Sequence, residues 1–193
     1  VMITNDPYSG AAHLPDVYIF RPIFSGGKLL AWAVGGGHQR DVGGMTPGSC
    51  PTNATEIHQE GLRLPPMKLY NQGEPNKTLF TILNAASRTP EIVLADISAY
   101  VGACTVAENR FLELVDEHGV STLDRYLAEL LDYTERLARA EITAMPDGKY
   151  YFEDKLDDDG VNLKNEVTIR LTITVDGDEL VYDFDGTDSQ VAS

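Results

Sequence analysis

Cysteine is scarce in this sequence: Cys50 and Cys104 are the only two in 193 residues. So few thiols make no disulfide framework and lead us to expect a reducing, cytoplasmic setting. Long apolar runs are also missing. No stretch approaches the roughly 18 consecutive apolar residues of a membrane span, and no secretory leader is legible at the start. Basic residues are few, with 15 Lys and Arg against 30 Asp and Glu, for a formal net charge of −15. Such a chain repels phosphate backbones and anionic headgroups, so nucleic acid and membrane surfaces are not expected partners. The phosphate-cradling pattern G-x-x-x-x-G-K-[ST] does not occur, so a nucleoside triphosphate is expected to bind elsewhere. There is no internal repeat and no low-complexity tract.

What is present is ordinary for a globular chain: 42% hydrophobic and 23% charged residues, at a length that can bury a core without staples. Three regions follow one another. Residues 1–88 are rich in Gly and Pro and read as strands and loops. Val1-Met2-Ile3-Thr4 reads as part of a strand. Val17–Phe20 and Leu29–Val34 read as two strands around the hairpin turn Ser25-Gly26-Gly27-Lys28. Gly35 to Leu64 is expected to be mostly loop, with a short helix near Ala54–Gln59. Residues 89–148 read as a helical hairpin. Thr89-Pro90-Glu91 opens its first helix, His118-Gly119 closes it, and Pro146-Asp147-Gly148 stops the second. The leucines Leu123, Leu127, Leu130, Leu131 and Leu137 share one face of the second helix and are expected to be core. Residues 149–193 return to antiparallel strands, with Asp176-Gly177 as a tight turn. Strands, helices, then strands predict an α+β fold. Both ends read as cut, which suggests an interior piece of a longer subunit.

The densest set of ligand-capable side chains lies between Asn5 and Asp41. His13 and Asp16 form H-x-x-D, and Gly35-Gly36-Gly37-His38 follows the second predicted strand. A β-hairpin brings its outer ends together, so His13 and Asp16 are expected beside His38 and Asp41. Two imidazoles with one or two carboxylates suit Zn²⁺, Mn²⁺ or Fe²⁺. The glycines before His38 are expected to let the backbone approach a ligand. The alternative is two turn histidines bonded to backbone, in a non-catalytic assembly module.

The blocks Asn5-Asp6-Pro7-Tyr8, His13-Leu14-Pro15-Asp16, His38-Gln39-Arg40-Asp41-Val42-Gly43-Gly44, Pro47-Gly48-Ser49 and Glu60-Gly61-Leu62-Arg63-Leu64-Pro65-Pro66 stand in an order and spacing that resembles the hydantoinase B/oxoprolinase family. That family includes 5-oxoprolinase, N-methylhydantoinase, caprolactamase and the acetone and acetophenone carboxylases. The resemblance implies a divalent metal held by His13, Asp16 and His38. Asp41 and Asp6 occupy equally characteristic positions; Asp41 and Glu60 are the expected catalytic carboxylates. Some members carry two adjacent histidines where this chain has His38-Gln39. The resemblance also implies a hetero-oligomer with a hydantoinase A-type ATP-binding subunit or domain. The implied activity is ATP-dependent opening of a small cyclic amide such as a hydantoin, 5-oxoproline or a lactam, with ATP-dependent carboxylation of a ketone as the alternative. Lys155–Gly160 with Glu166 nearly matches a calcium loop, but Lys155 stands where an acid is required, so a solvated acidic loop is expected.

Overall fold

The tight turn read at Ser25-Gly26-Gly27-Lys28 is present in the computed structural model, which describes residues Val1–Ser193. Gly26 and Gly27 both take positive φ (56° and 79°), the conformation a two-residue hairpin turn needs and that only glycine adopts without strain. The strands it joins, β2 (Asp16–Ser25) and β3 (Lys28–His38), are longer than the apolar patterns alone predicted. They extend the hairpin until Asp16 stands opposite His38. With β1 (Met2–Thr4) and β4 (Met67–Lys68) they form an antiparallel sheet in the order β3-β2-β1-β4. Two short segments, β5 (Tyr70–Asn71) and β6 (Glu74–Pro75), make a separate ribbon. A single 3-10 turn at Ile57–Gln59 stands within the region where a short helix was expected.

One face of the sheet is buried. Ile3, Val17, Ile19, Ile23 and Ala33 pack with residues from two helices, α1 (Lys77–Ala86) and α2 (Pro90–His118). The sequence pattern predicts no helix over residues 77–86, so α1 is an addition. Asn76 caps it by accepting the Leu79 N–H at 3.2 Å. Only Leu79 and Leu83 of its residues are buried, too narrow a stripe to stand out in a Pro- and Gly-rich region. Helix α2 begins at Pro90 and is capped by Gly119, as expected. Its length and composition would suit a membrane span, a test that the core helix of a soluble domain also meets. Val93, Ile97 and Cys104 of this helix belong to the same core as Ile19 and Ala33. Cys50 and Cys104 are both free thiols.

The chain divides into two compact units, Val1–Gly119 and Val120–Ser193. The second holds α3 (Val120–Thr143) and an antiparallel meander of β7 (Gly148–Leu156), β8 (Val167–Asp176) and β9 (Glu179–Asp183). The turn after Asp176 is as expected, with Gly177 at φ 61° and Asp176 paired with Glu179. Within this unit Arg139 joins Glu135 on its own helix to Asp178 at the β8–β9 turn. The expectation that the α3 leucines are core is overturned: Leu127, Leu130, Leu131 and Leu137 are all exposed. Periodicity reports which face of a helix is apolar, not whether anything in this chain covers it. The acidic loop after β7 closes on itself, Asp158 and Asp159 accepting nearby backbone N–H groups and Lys155 pairing with Glu166.

Candidate metal centre

The register of the hairpin builds the cluster. Asp16 opens β2 and His38 closes β3, directly across from each other. Side chains of such a pair share one face of the sheet. His13 joins them through the turn before β2, where the Asp16 N–H donates to the His13 carbonyl at 3.0 Å. The result is a triangle: His13 Nε2 lies 3.1 Å from His38 Nδ1 and 3.1 Å from Asp16 Oδ1, and His38 Nδ1 lies 3.4 Å from the same oxygen. The ring centroids are 4.9 Å apart.

These lengths suit a common cation. Donors at about 2.1 Å from an ion stand about 3.0 Å apart at a right angle and about 3.4 Å apart at the tetrahedral angle. A triangle this tight holds more lone-pair density than one imidazole proton can bridge, whereas a divalent ion answers all three atoms at once. The two-imidazole, one-carboxylate set suits Zn²⁺, Mn²⁺ or Fe²⁺. His13 and His38 are 41% and 52% exposed along their side chains, so the outer side of the triangle is open to a further ligand.

Two buried polar side chains fix the loop that carries His13. Asn5, fully buried, donates through Nδ2 to the carbonyls of Leu14 (2.7 Å) and Leu62 (2.8 Å) and accepts the Leu64 N–H at 2.6 Å. It ties the segment just after His13 to the distant 62–64 stretch. Asp6 caps the 3-10 turn Pro7–Ser9 by accepting from Tyr8 and Ser9. In the sequence Asn5 stands out only as part of a motif. Nothing in its pattern separates a buried asparagine with three partners from one in a turn.

The other expected site residues stand apart from the triangle. Asp41 is buried, and both of its oxygens are engaged: Oδ1 accepts from the backbone of Gly43 and Arg88, and Oδ2 from the backbone of Gly48 and the Arg88 guanidinium. Burial raises the pKa of this carboxyl, but the donors from Arg88, Gly48 and Gly43 outweigh it and hold it below the usual range. Glu60 ends the 3-10 turn at Ile57–Gln59, donating its N–H to the Ile57 carbonyl, and lies outside the three-donor cluster. Gln39, the neighbour of His38, is fully buried and turned to the α2 side, with Nε2 at 3.4 Å from the Tyr100 hydroxyl. Two of the glycines before His38 make room for that helix. A Cβ at Gly35 would meet Cys104 Sγ at 3.2 Å, and one at Gly37 would meet the Tyr100 hydroxyl at 2.8 Å.

The hydantoinase B/oxoprolinase family model matches residues 1–193. A putative D-/L-hydantoinase subunit from Pseudomonas sp. (strain NS671) is 35% identical over 195 residues, covering 99% of this chain and 33% of that protein. The acetophenone carboxylase delta subunit of Aromatoleum aromaticum is 28% identical, covering 98% of this chain and 28% of that protein. Among solved structures, the ATP-dependent caprolactamase of Pseudomonas jessenii superposes with a TM-score of 0.83 at 35% identity, over 93% of this chain and 31% of that one. The chain thus spans about a third of the length of relatives it matches. Motif order, fold and full-length match agree, and the chain belongs to the hydantoinase B/oxoprolinase family.

Proposed function

We propose that this chain supplies the metal-binding core of an ATP-dependent hydrolase that opens small cyclic amides, working with a hydantoinase A-type ATP-binding subunit or domain in a cytoplasmic hetero-oligomer. The observation that carries the reading is the convergence of His13, Asp16 and His38, whose ligand atoms all lie within 4.8 Å of one another. A divalent ion bound there would supply Lewis-acid polarisation of an oxygen or a water of lowered pKa. The chain's own part is to hold the three donors: the β2–β3 register sets Asp16 against His38, and Asn5 fixes the loop behind His13. Asp41 keeps the loop after His38 in place through Arg88, Gly43 and Gly48, which makes it a positioning residue in this reading. Glu60 is the remaining carboxylate proposed to face the substrate.

The proposed substrate class is supported by the names of two relatives, a hydantoinase subunit and an ATP-dependent caprolactamase. A second reading, ATP-dependent carboxylation of a ketone, is favoured by the similarity to the acetophenone carboxylase delta subunit. Two measurements test the proposal. Elemental analysis of the purified protein is expected to show about one transition metal per chain, abolished by His13→Ala and by His38→Ala. Full occupancy in both variants would remove the metal assignment. Assays with the ATP-binding partner against hydantoins, 5-oxoproline, lactams and ketones then separate hydrolysis from carboxylation, since only the second consumes bicarbonate into a new C–C bond.

A further inference from the structure

Arginine is almost fully committed in this protein. Of nine arginines, eight face a carboxylate or an aromatic ring: Arg21 pairs with Glu108, Arg88 with Asp41 and Arg170 with Glu153, while Arg136 lies over the Tyr133 ring, to name four. Arg40 is the exception. It is exposed, and its side chain has no hydrogen bond, ion pair or ring partner. In a chain of net charge −15 carboxylates are plentiful, yet none pairs with the guanidinium at this position.

That position is two residues beyond His38. Antiparallel pairing continues past the end of β3, with the Gln39 N–H donating to the Pro15 carbonyl at 2.7 Å. Gln39 turns inward to Tyr100 and is fully buried, whereas His38 and Arg40 on either side of it are exposed. His38 and Arg40 thus both face solvent, on either side of a buried residue. Arg40 lies in a bend just past β3, so the two residues span at most about 6.6 Å. That is within the reach of an arginine side chain, so the guanidinium can meet a group bound at the open side of the His13–Asp16–His38 triangle. A planar, always-charged fork of donors matches an oxyanion better than any other side chain does.

From this placement we infer that Arg40 is a substrate-binding residue, and that the molecule presented to the metal centre carries an oxyanion, either a carboxylate or a phosphoryl group, which Arg40 grips. The inference rests on the metal-centre reading above and deepens it. The test uses the intact protein with its partner polypeptide, loaded with Mn²⁺, and two probes, inorganic phosphate and acetate. Calorimetry gives their affinities, and paramagnetic relaxation of the phosphate ³¹P and acetate ¹³C nuclei shows whether each sits beside the ion. Elemental analysis of the wild type comes first: absence of metal there would sink the metal-centre reading and this inference with it. With metal present and retained in the variant, Arg40→Gln is expected to weaken one or both probes about tenfold and raise substrate KM more than it lowers kcat. Arg40→Lys is expected to recover part of the loss. A larger effect on phosphate identifies a phosphoryl group, and a larger effect on acetate a carboxylate. Unchanged affinity for both probes in Arg40→Gln, with full metal, overturns the inference. So does a variant whose only defect is loosened assembly with the partner, which would make Arg40 an interface residue.

Discussion

Asp41 shows how one carboxylate can organise a loop. Four donors converge on it, three of them backbone N–H groups from Gly43, Gly48 and Arg88. Asp41→Asn removes the charge opposite Arg88 and turns one acceptor into a donor facing N–H groups. A loss of about 3 kcal/mol is expected, toward the low end for breaking a buried pair because Arg88 is partly solvated. The pH dependence follows from the direction of the shift. Folding lowers the Asp41 pKa, so its stabilisation is fully present above the ordinary carboxyl value of about 3.9. It is lost as pH falls through the lower, folded value. Urea titrations of wild type and Asp41→Asn should therefore differ most at neutral pH and converge as the solution is acidified through the lowered, folded value. A constant difference across that range would mean that the carboxylate's charge contributes nothing.

At the scale of elements, the β2–β3 hairpin positions the metal donors, and its register depends on glycine. A Cβ at Gly36 would stand 2.5 Å from the Val17 carbonyl and 2.9 Å from the Tyr18 ring. The first of these is backbone in the paired strand and cannot move without shifting the ladder beside Asp16 and His38. At Gly37 the obstacle is only the Tyr100 hydroxyl, the far end of a side chain. Gly36→Ala is thus expected to lose about 2 kcal/mol or more and to weaken metal binding, with Gly37→Ala clearly milder in both. Equal effects in thermal melts and metal titrations would contradict the assignment of the clash to the strand. The second unit offers an opposite case. Leu131, at 74% exposure, carries little burial energy in this chain, so Leu131→Gln should alter its stability by no more than about 0.5 kcal/mol. A large destabilisation would show that the leucine face of α3 is covered after all.

At the scale of the whole molecule, the candidate site belongs to one unit. His13, Asp16 and His38, the Asn5 and Asp41 anchors, and α2 all lie within Val1–Gly119. The core that joins the sheet to α1 and α2 is contained there too. A polypeptide of residues 1–119 is expected to fold and to bind metal with the stoichiometry of the longer chain. Circular dichroism and elemental analysis check this, and a folded 1–119 piece without metal would show that a donor comes from elsewhere. The second unit contributes an antiparallel meander and a helix, with the sheet's interior limited to Val167, Thr168 and Val175.

Much of this was legible in the residues themselves. Gly26-Gly27 permits a tight turn, Thr89-Pro90 starts a helix and Gly119 ends it, and β-branched alternation marks β8; each is a local rule of backbone sterics. A hairpin also implies that its two outer ends meet, so His13, Asp16 and His38 could be placed together from the chain's own pattern. Tertiary structure alone decided the rest. Whether Asp41 is free for chemistry depends on Arg88, 47 positions away. Whether Asn5 matters depends on carbonyls at Leu14 and Leu62. Whether the α3 leucines are core depends on what packs against them. Hydrogen bonding and burial are settled by neighbours in space, and a sequence holds only neighbours along the chain.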